Sequence, residues 1–127
     1  MNGTNIVFDT CAVIKLLEMP QDLKSLGLNV DELQFFTSVI VRMELLSKRQ
    51  MQEDEKKKIT DFLDDLTIIS LTDVIEKKAI ELRRNTSLKL PDCIIAATSI
   101  FLDAILLTDD DDLLNLSWPS LRTQRVF

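Results

Sequence analysis

Four consecutive aspartates, Asp109 to Asp112, follow directly on the apolar run "AILLT" (104–108). Neighbouring carboxylates repel one another, and each loses hydration on burial, so such a run either faces water or surrounds a positive charge. Three further acids stand in apolar surroundings. Asp9 ends "NIVFD" (5–9), Glu44 lies inside "VIVRMELL" (39–46), and Asp92 precedes "CIIAA" (93–97). Carboxylates with no histidine beside them suit Mg²⁺ or Mn²⁺, hard cations that take oxygen ligands and keep several waters. A cation of this kind relieves the repulsion that would otherwise raise the carboxylate pKa values. Two such ions about 4 Å apart clamp an in-line displacement at a phosphodiester, one activating water and the other steadying the leaving oxygen.

Each acid also has a plain structural explanation. Asp9 is placed to cap a helix. The aspartate run suits a solvated loop and the cap of a following turn. Glu44 is expensive on an apolar helix unless it has a partner, but Arg42 and Ser47 are close in sequence, so an exposed stripe also accounts for it. Asp92 interacts favourably with a helix N-terminus. What these separate explanations leave unexplained is four of them in one small chain.

The chain has 127 residues, is 46% hydrophobic and contains two glycines and three prolines, as expected for one globular domain spanning 1–127 with a real core. No apolar run is long enough to span a bilayer; the best, Ile94 to Leu107, is interrupted by Asp103. No signal peptide is legible, and Cys11 and Cys93 make no disulfide framework, so the expected location is cytoplasmic. There is no histidine and no tyrosine. That removes Ser-His-Asp and Cys-His catalysis, histidine acid–base pairs and His-ligated zinc. The net charge of −6 argues against a nucleic-acid partner, yet setting Asp9, Glu44, Asp92 and Asp110 aside leaves −2. Basic clusters then available are Lys48-Arg49, Lys56 to Lys58, Lys77-Lys78 and Arg83-Arg84. Solvated helix faces explain each, and Lys56 to Lys58 have Glu53, Asp54 and Glu55 beside them for intrahelical pairing. Any grip on a nucleic acid is therefore expected to be weak and salt-sensitive without further partners.

The elements that must position the acids alternate along the chain. Strands are expected at 5–9, 33–38, 67–70 and 104–108, with a last short one at "VF" (126–127). Helices are expected at 10–18, 39–50 (capped by Ser38), 53–66, 72–85 (capped by Thr72) and 90–103, with Pro91 in the first turn of the last. Residues 21–33 read as a short helix and a loop. The predicted inward residues are Val13, Leu16 and Leu17; Ile59, Phe62, Leu63 and Leu66; and Val74, Ile75, Ala79 and Leu82. Trp118 and the phenylalanines Phe35, Phe36, Phe62 and Phe101 read as core or interface, and the two cysteines as small core residues. Short apolar strands without period-2 alternation imply a sheet covered on both faces. The fold class is therefore α/β: a three-layer α/β/α fold with a mostly parallel sheet of four or five strands. Ligands in such folds bind beyond the C-terminal ends of strands, where Asp9 and the 109–112 run fall.

The order strand–Asp ("VFDTCAVIKLL"), helix–Glu ("SVIVRMELL"), helix-start–Asp ("LPDCIIAATSI"), strand–Thr–acid ("LLTDDDDLL") resembles the PIN domain family, most closely the compact VapC-type toxin ribonucleases of toxin–antitoxin pairs. The likeness covers roughly residues 5 to 114. It implies catalytic acids at Asp9, Glu44, Asp92 and Asp110, with metal ligands at Asp9, Asp92, Asp110 and Asp112. Relatives commonly read Thr-x-Asp-x-Asp-aromatic at the last motif; Thr108, Asp110 and Asp112 match it and Leu113 replaces the aromatic. With acids also at 109 and 111 the register is ambiguous by one, preferred in the order Asp110, Asp112, Asp109. Cys11 stands where relatives frequently carry serine. In this reading Thr10, Thr108 and Asp109 support the site, and Glu44 positions or deprotonates the attacking water. The resemblance further implies Mg²⁺ or Mn²⁺ as cofactor, an RNA substrate cut to a 5′-phosphate and a 3′-hydroxyl, a homodimer, and a cognate antitoxin covering the pocket.

Two other classes use similar acids. An aspartate-nucleophile phosphatase wants Asp-x-Asp after the first strand, where Cys11 stands; a phosphotransfer receiver wants a phosphorylated aspartate after a middle strand, where only Asp73 is offered. A labelled aspartyl-phosphate would support either one. A catalytically silent PIN-like binding module would have lost an acid, and this chain keeps every one; partner binding without metal binding would favour it.

Overall fold

The structure is a computed structural model that describes residues 3–18 and 32–126. Five parallel strands form one sheet: β1 (Thr4–Phe8), β2 (Leu33–Ser38), β3 (Thr67–Ile69), β4 (Ile105–Leu107) and β5 (Arg122–Gln124), in the order β3-β2-β1-β4-β5. The helices among the described residues are α1 (Thr10–Glu18), α2 (Val39–Leu46), α3 (Glu53–Asp64), α4 (Asp73–Asn85), α5 (Leu90–Phe101) and α6 (Asp111–Leu114). The result is the three-layer α/β/α arrangement that the unalternating strands imply. Ile6, Val7 and Phe8 are buried in succession, as are Leu106 and Leu107, which requires helices over both faces of the central strands.

The strand order makes the site. From the central β1 the chain moves outward through β2 and β3, then returns to the other side of β1 to lay down β4 and β5. The reversal lies between β1 and β4, and a crevice opens at the strand ends where the order turns back. Phe8 pairs with Leu107 in that register, so the next residues, Asp9 and Thr108, leave the sheet side by side. The Asp9 N–H still donates to the Leu107 carbonyl at 3.0 Å.

The helices present apolar stripes to this sheet. Val41 and Leu45 of α2, Ile59 and Leu63 of α3, and Ile75, Ala79 and Leu82 of α4 are buried. Phe8 stacks on Phe35 at 5.8 Å between ring centroids and meets Phe62 edge-on at 5.9 Å. Ser38 caps α2 by accepting from the Ile40 N–H at 3.2 Å, and Thr72 caps α4 by accepting from the Ile75 N–H at 3.3 Å. Pro91 stands in the first turn of α5.

Several expectations are corrected. The second helix ends at Leu46 rather than at residue 50; the chain turns after it, and Gln50 adopts a left-handed φ of 59°. Val74 is 61% exposed, because the buried stripe of α4 runs through Ile75, Ala79 and Leu82 and the preceding residue is turned off it by a helical step. Phe101, read as core or interface, is 50% exposed at the last position of α5, which excludes only the core. The last strand among the described residues is Arg122–Gln124, and Val126 belongs to no strand. Val126 is buried, and its N–H donates to the Asp109 carboxylate rather than to a strand; Phe127 lies outside the described residues. The helix and loop expected over 21–33 also lie outside them, apart from residues 32–33. No helix among the described residues is long and apolar enough to cross a membrane.

Candidate active site

A cleft of about 340 Å³ opens at the C-terminal ends of β1 and β4, lined by Asp9, Thr10, Cys11, Ile14, Glu44, Asp92, Asp109 and Asp110. Four elements deliver these groups. Asp9 sits in the turn from β1 into α1, Glu44 on α2, Asp92 in the first turn of α5, and Asp109 and Asp110 in the turn from β4 into α6.

Asp9 is only 4% exposed, yet its carboxylate is well supplied with donors. Oδ1 accepts from the Thr10 N–H at 2.7 Å; Oδ2 accepts from the Thr108 hydroxyl at 2.6 Å and from the Cys11 thiol at 3.4 Å. An ionised carboxylate has about four acceptor positions, so about one remains for anything entering the cleft. The Thr108 hydroxyl is also an acceptor, for the Asp110 N–H at 3.0 Å. It thereby ties the acid of one strand end to the backbone that carries the next.

Glu44 is exposed at the rim, because α2 buries Val41 and Leu45 and turns Arg42, Met43 and Glu44 outward. The desolvation cost that an inward glutamate would carry is absent here. Its Oε1 accepts from the Thr10 hydroxyl at 3.0 Å, which holds α2 against the start of α1.

Asp92 reports the field of the cleft. Burial pushes its carboxyl up to about 6 from an ordinary 3.8; the charges of Asp9, Asp110 and Glu44 add to this, and Lys89 opposes it. These are the acids that sequence alone singled out, and the structure brings them to one cleft.

The aspartate run divides its labour. Asp109 places Oδ2 2.7 Å from the Lys15 ammonium and accepts the Val126 N–H on Oδ1 at 3.0 Å. Burial works against its ionisation, but hydrogen bonds from Lys15 and the Val126 N–H, with the charges of Lys15 and Arg125, hold its carboxyl below the ordinary value. Asp110 caps α6, accepting from the Asp112 N–H on Oδ1 at 2.8 Å. Asp111 pairs with Arg125 at 2.9 Å, away from the cleft. Asp112 is exposed on the first turn of α6 and does not line the cleft. The opening puzzle is thus partly answered by the protein's own cations, Lys15 and Arg125.

Of the two cysteines expected in the core, only Cys93 is there; Cys11 is half-buried in the cleft wall. Burial pushes the Cys11 thiol up, with the Asp9 charge adding, so it stays protonated and donates to Asp9. Its sulfur accepts the Asp109 N–H at 3.3 Å. Nothing local in the sequence marks Lys15 or Val126 as partners of Asp109, since the contacts span 94 and 17 positions. Of the basic clusters, Lys48 pairs with Glu55, Lys57 with Asp61 and Lys78 with Glu81 on exposed faces.

The donors facing the cleft are carboxylate and hydroxyl oxygens with one protonated thiol, a set that fits a hard cation better than a soft one. Among the described residues no three Asp, Glu or Cys side chains converge to enclose an ion by themselves. A magnesium-type ion does not need this, since it takes one or two carboxylates and keeps its waters.

Comparison with known proteins agrees with the fold. A family model described as the PIN domain matches residues 6–119. Among curated proteins none matches the chain. Among solved structures, VapBC2 from Rickettsia felis, bound to a DNA fragment from its promoter, is 23% identical with a TM-score of 0.80, covering 96% of this chain and 98% of its own. A toxin–antitoxin complex from Klebsiella pneumoniae is 25% identical with a TM-score of 0.71, covering 91% and 94%. VapBC-5 from Mycobacterium tuberculosis is 20% identical with a TM-score of 0.73, covering 97% and 99%.

Proposed function

The chain belongs to the PIN domain family, and from that premise we propose that it is a Mg²⁺- or Mn²⁺-dependent endoribonuclease, the VapC-type toxin of a toxin–antitoxin pair. One observation carries the reading: Asp9, Glu44, Asp92 and Asp110 line a single cleft, and the other three acids help to push Asp92 up to about 6. Acids packed this closely without a cation in the cleft work against folding. They are explained if the cleft is meant to hold one.

Asp9, Asp92 and Asp110 would hold the metal, Asp9 through its remaining Oδ1 position and Asp110 through the oxygen that does not cap α6. When bound, a divalent ion lowers the pKa of a coordinated water and neutralises charge on a phosphodiester. The chain supplies the rest. The Thr108 hydroxyl and the Cys11 thiol fix the Asp9 carboxylate. Glu44, at the open rim and steadied by Thr10, takes a proton from the attacking water. Asp112, matched to the family motif by sequence, is exposed and does not line the cleft, so its part is secondary to that of Asp110.

RNA as substrate, a homodimer and an antitoxin partner belong to the same reading. Their support is the family and the toxin–antitoxin character of the structural relatives. A single domain over 1–127 and a cytoplasmic location complete it. The deciding experiment is RNA cleavage by purified protein with Mg²⁺, Mn²⁺ or EDTA, beside Asp9→Asn and Asp92→Asn. Cleavage that needs the metal and both aspartates supports the reading; equal cleavage by the variants overturns it.

A further inference from the structure

Asp109 is pinned from several directions at once. Its Oδ2 meets the Lys15 ammonium at 2.7 Å and its Oδ1 the Val126 N–H at 3.0 Å, while its own N–H is held by Cys11 Sγ at 3.3 Å. Both carboxylate oxygens therefore already have a donor from the protein itself. Cys11 and Lys15 are four residues apart on α1, one turn along the same face, so one helix face delivers a thiol to the peptide and a cation to the side chain of residue 109. The Lys15 and Asp109 side chains are 28% and 22% exposed, so the pair is largely shielded from water. The consequence falls on the next residue. With position 109 fixed, Asp110 has its N–H on Thr108 and its Oδ1 on the Asp112 N–H, and the residue lines the cleft with no hydrogen-bond partner on its other oxygen among the described residues.

We infer that Lys15 and Asp109 form an internal latch that sets the register of the aspartate run, with Asp109 a positioning residue and Asp110 the ligand. This rests on the reading of the cleft as a metal site. The latch and its rival, in which Asp109 itself binds the metal, make opposite demands on Lys15. If Lys15 holds the run in register, removing its charge loosens Asp110 and weakens the metal. If Lys15 merely competes for a ligand, removing its charge releases Asp109 and tightens the metal.

The test uses the full chain and Mn²⁺ as the probe. Mn²⁺ affinity is measured by calorimetry for the wild type, Lys15→Met, Lys15→Arg, Asp109→Asn and the double variant Lys15→Met/Asp109→Asn. Amide hydrogen exchange over residues 108–115 is followed in EDTA, where no metal contributes. The latch predicts that Lys15→Met and Asp109→Asn each weaken Mn²⁺ binding about tenfold, the range for residues that orient a ligand. It predicts little further loss in the double variant, since both substitutions break one link. It also predicts faster exchange at residues 110 and 112, a small change in Tm, and recovery of affinity in Lys15→Arg. Equal or tighter Mn²⁺ binding by Lys15→Met, or unchanged exchange in the run, overturns the latch alone. If the wild type itself takes up no Mn²⁺, the reading of the cleft fails and the latch falls with it.

Discussion

The Thr108 hydroxyl donates to Asp9 Oδ2 at 2.6 Å, joining two residues 99 positions apart in sequence. The parallel register of β1 and β4 makes the contact, since Phe8 lies opposite Leu107 and the next residues emerge together. The same oxygen accepts the Asp110 N–H. One hydroxyl thus fixes the geometry between the acid of the first strand and the acid of the fourth.

Thr108→Val keeps the shape of this side chain and removes both bonds. The buried Asp9 carboxylate loses a donor and the Asp110 N–H loses an acceptor. The expected loss of stability is about 1–3 kcal/mol, the cost of leaving a buried polar group unpaired. Urea unfolding at pH 7 measures it. A change inside experimental error would mean that the bond contributes nothing net. RNA cleavage should fall further in Thr108→Val than in Thr108→Ser, which keeps the hydroxyl.

Much of this is legible in the sequence, for identifiable reasons. The sheet is, because Ile6-Val7-Phe8 and Leu106-Leu107 do not alternate and so must be covered twice. The acids are, because each interrupts or borders an apolar run. What stays hidden depends on distant contacts. Local spacing gives no sign that Asp109 pairs with Lys15 across 94 positions, or that Val126 closes on the same carboxylate. The four aspartates look alike in sequence, and only the turn into α6 brings Asp109 and Asp110 to the cleft wall, the first tied to Lys15, while it sends Asp111 to Arg125 and Asp112 to water. For Glu44 the sequence leaves a partnered inward position and an exposed stripe both open, and the eight-residue helix with Val41 and Leu45 inward settles on the exposed one.

That sorting predicts a graded response along the run. Asp110→Asn should lower both Mn²⁺ affinity and RNA cleavage sharply. Asp111→Asn removes a surface pair with Arg125, so it should change stability by about 1 kcal/mol or less and leave cleavage near wild type. Asp112→Asn should fall between them. Cleavage rates for the three variants at one Mn²⁺ concentration give the ranking. A larger loss at Asp112 than at Asp110 would shift the site by half a turn of α6.

Glu44 separates catalysis from folding. It is exposed, so Glu44→Gln should leave stability within about 0.5 kcal/mol of wild type. If Glu44 takes the proton from water, kcat should fall by roughly 10² or more while KM changes little. Single-turnover RNA cleavage beside a thermal melt reads both. A matching loss in Tm and in kcat would mark Glu44 as a structural partner of Thr10 instead.

Asp92 gives the fold a pH dependence with a definite sign. Its carboxyl lies near 6 in the folded protein against an ordinary 3.8, chiefly through burial and then through Asp9, Asp110 and Glu44. A group whose pKa rises on folding contributes stability below its ordinary value and loses it as pH climbs through the folded one. Metal-free protein should therefore lose stability between about pH 4 and about pH 7. Asp92→Asn, which cannot ionise, should flatten that slope, although it also gives up the favourable position of a charge at the N-terminus of α5. Metal has the opposite pH dependence, because it needs the carboxylate deprotonated. Mg²⁺ or Mn²⁺ should raise the Tm of the wild type more at pH 7 than at pH 5, and should do little for Asp92→Asn at either. Calorimetric melts in EDTA and in Mn²⁺ across that range test both halves. Parallel pH slopes for wild type and variant in EDTA would show that the crowding of acids in the cleft does not act on Asp92.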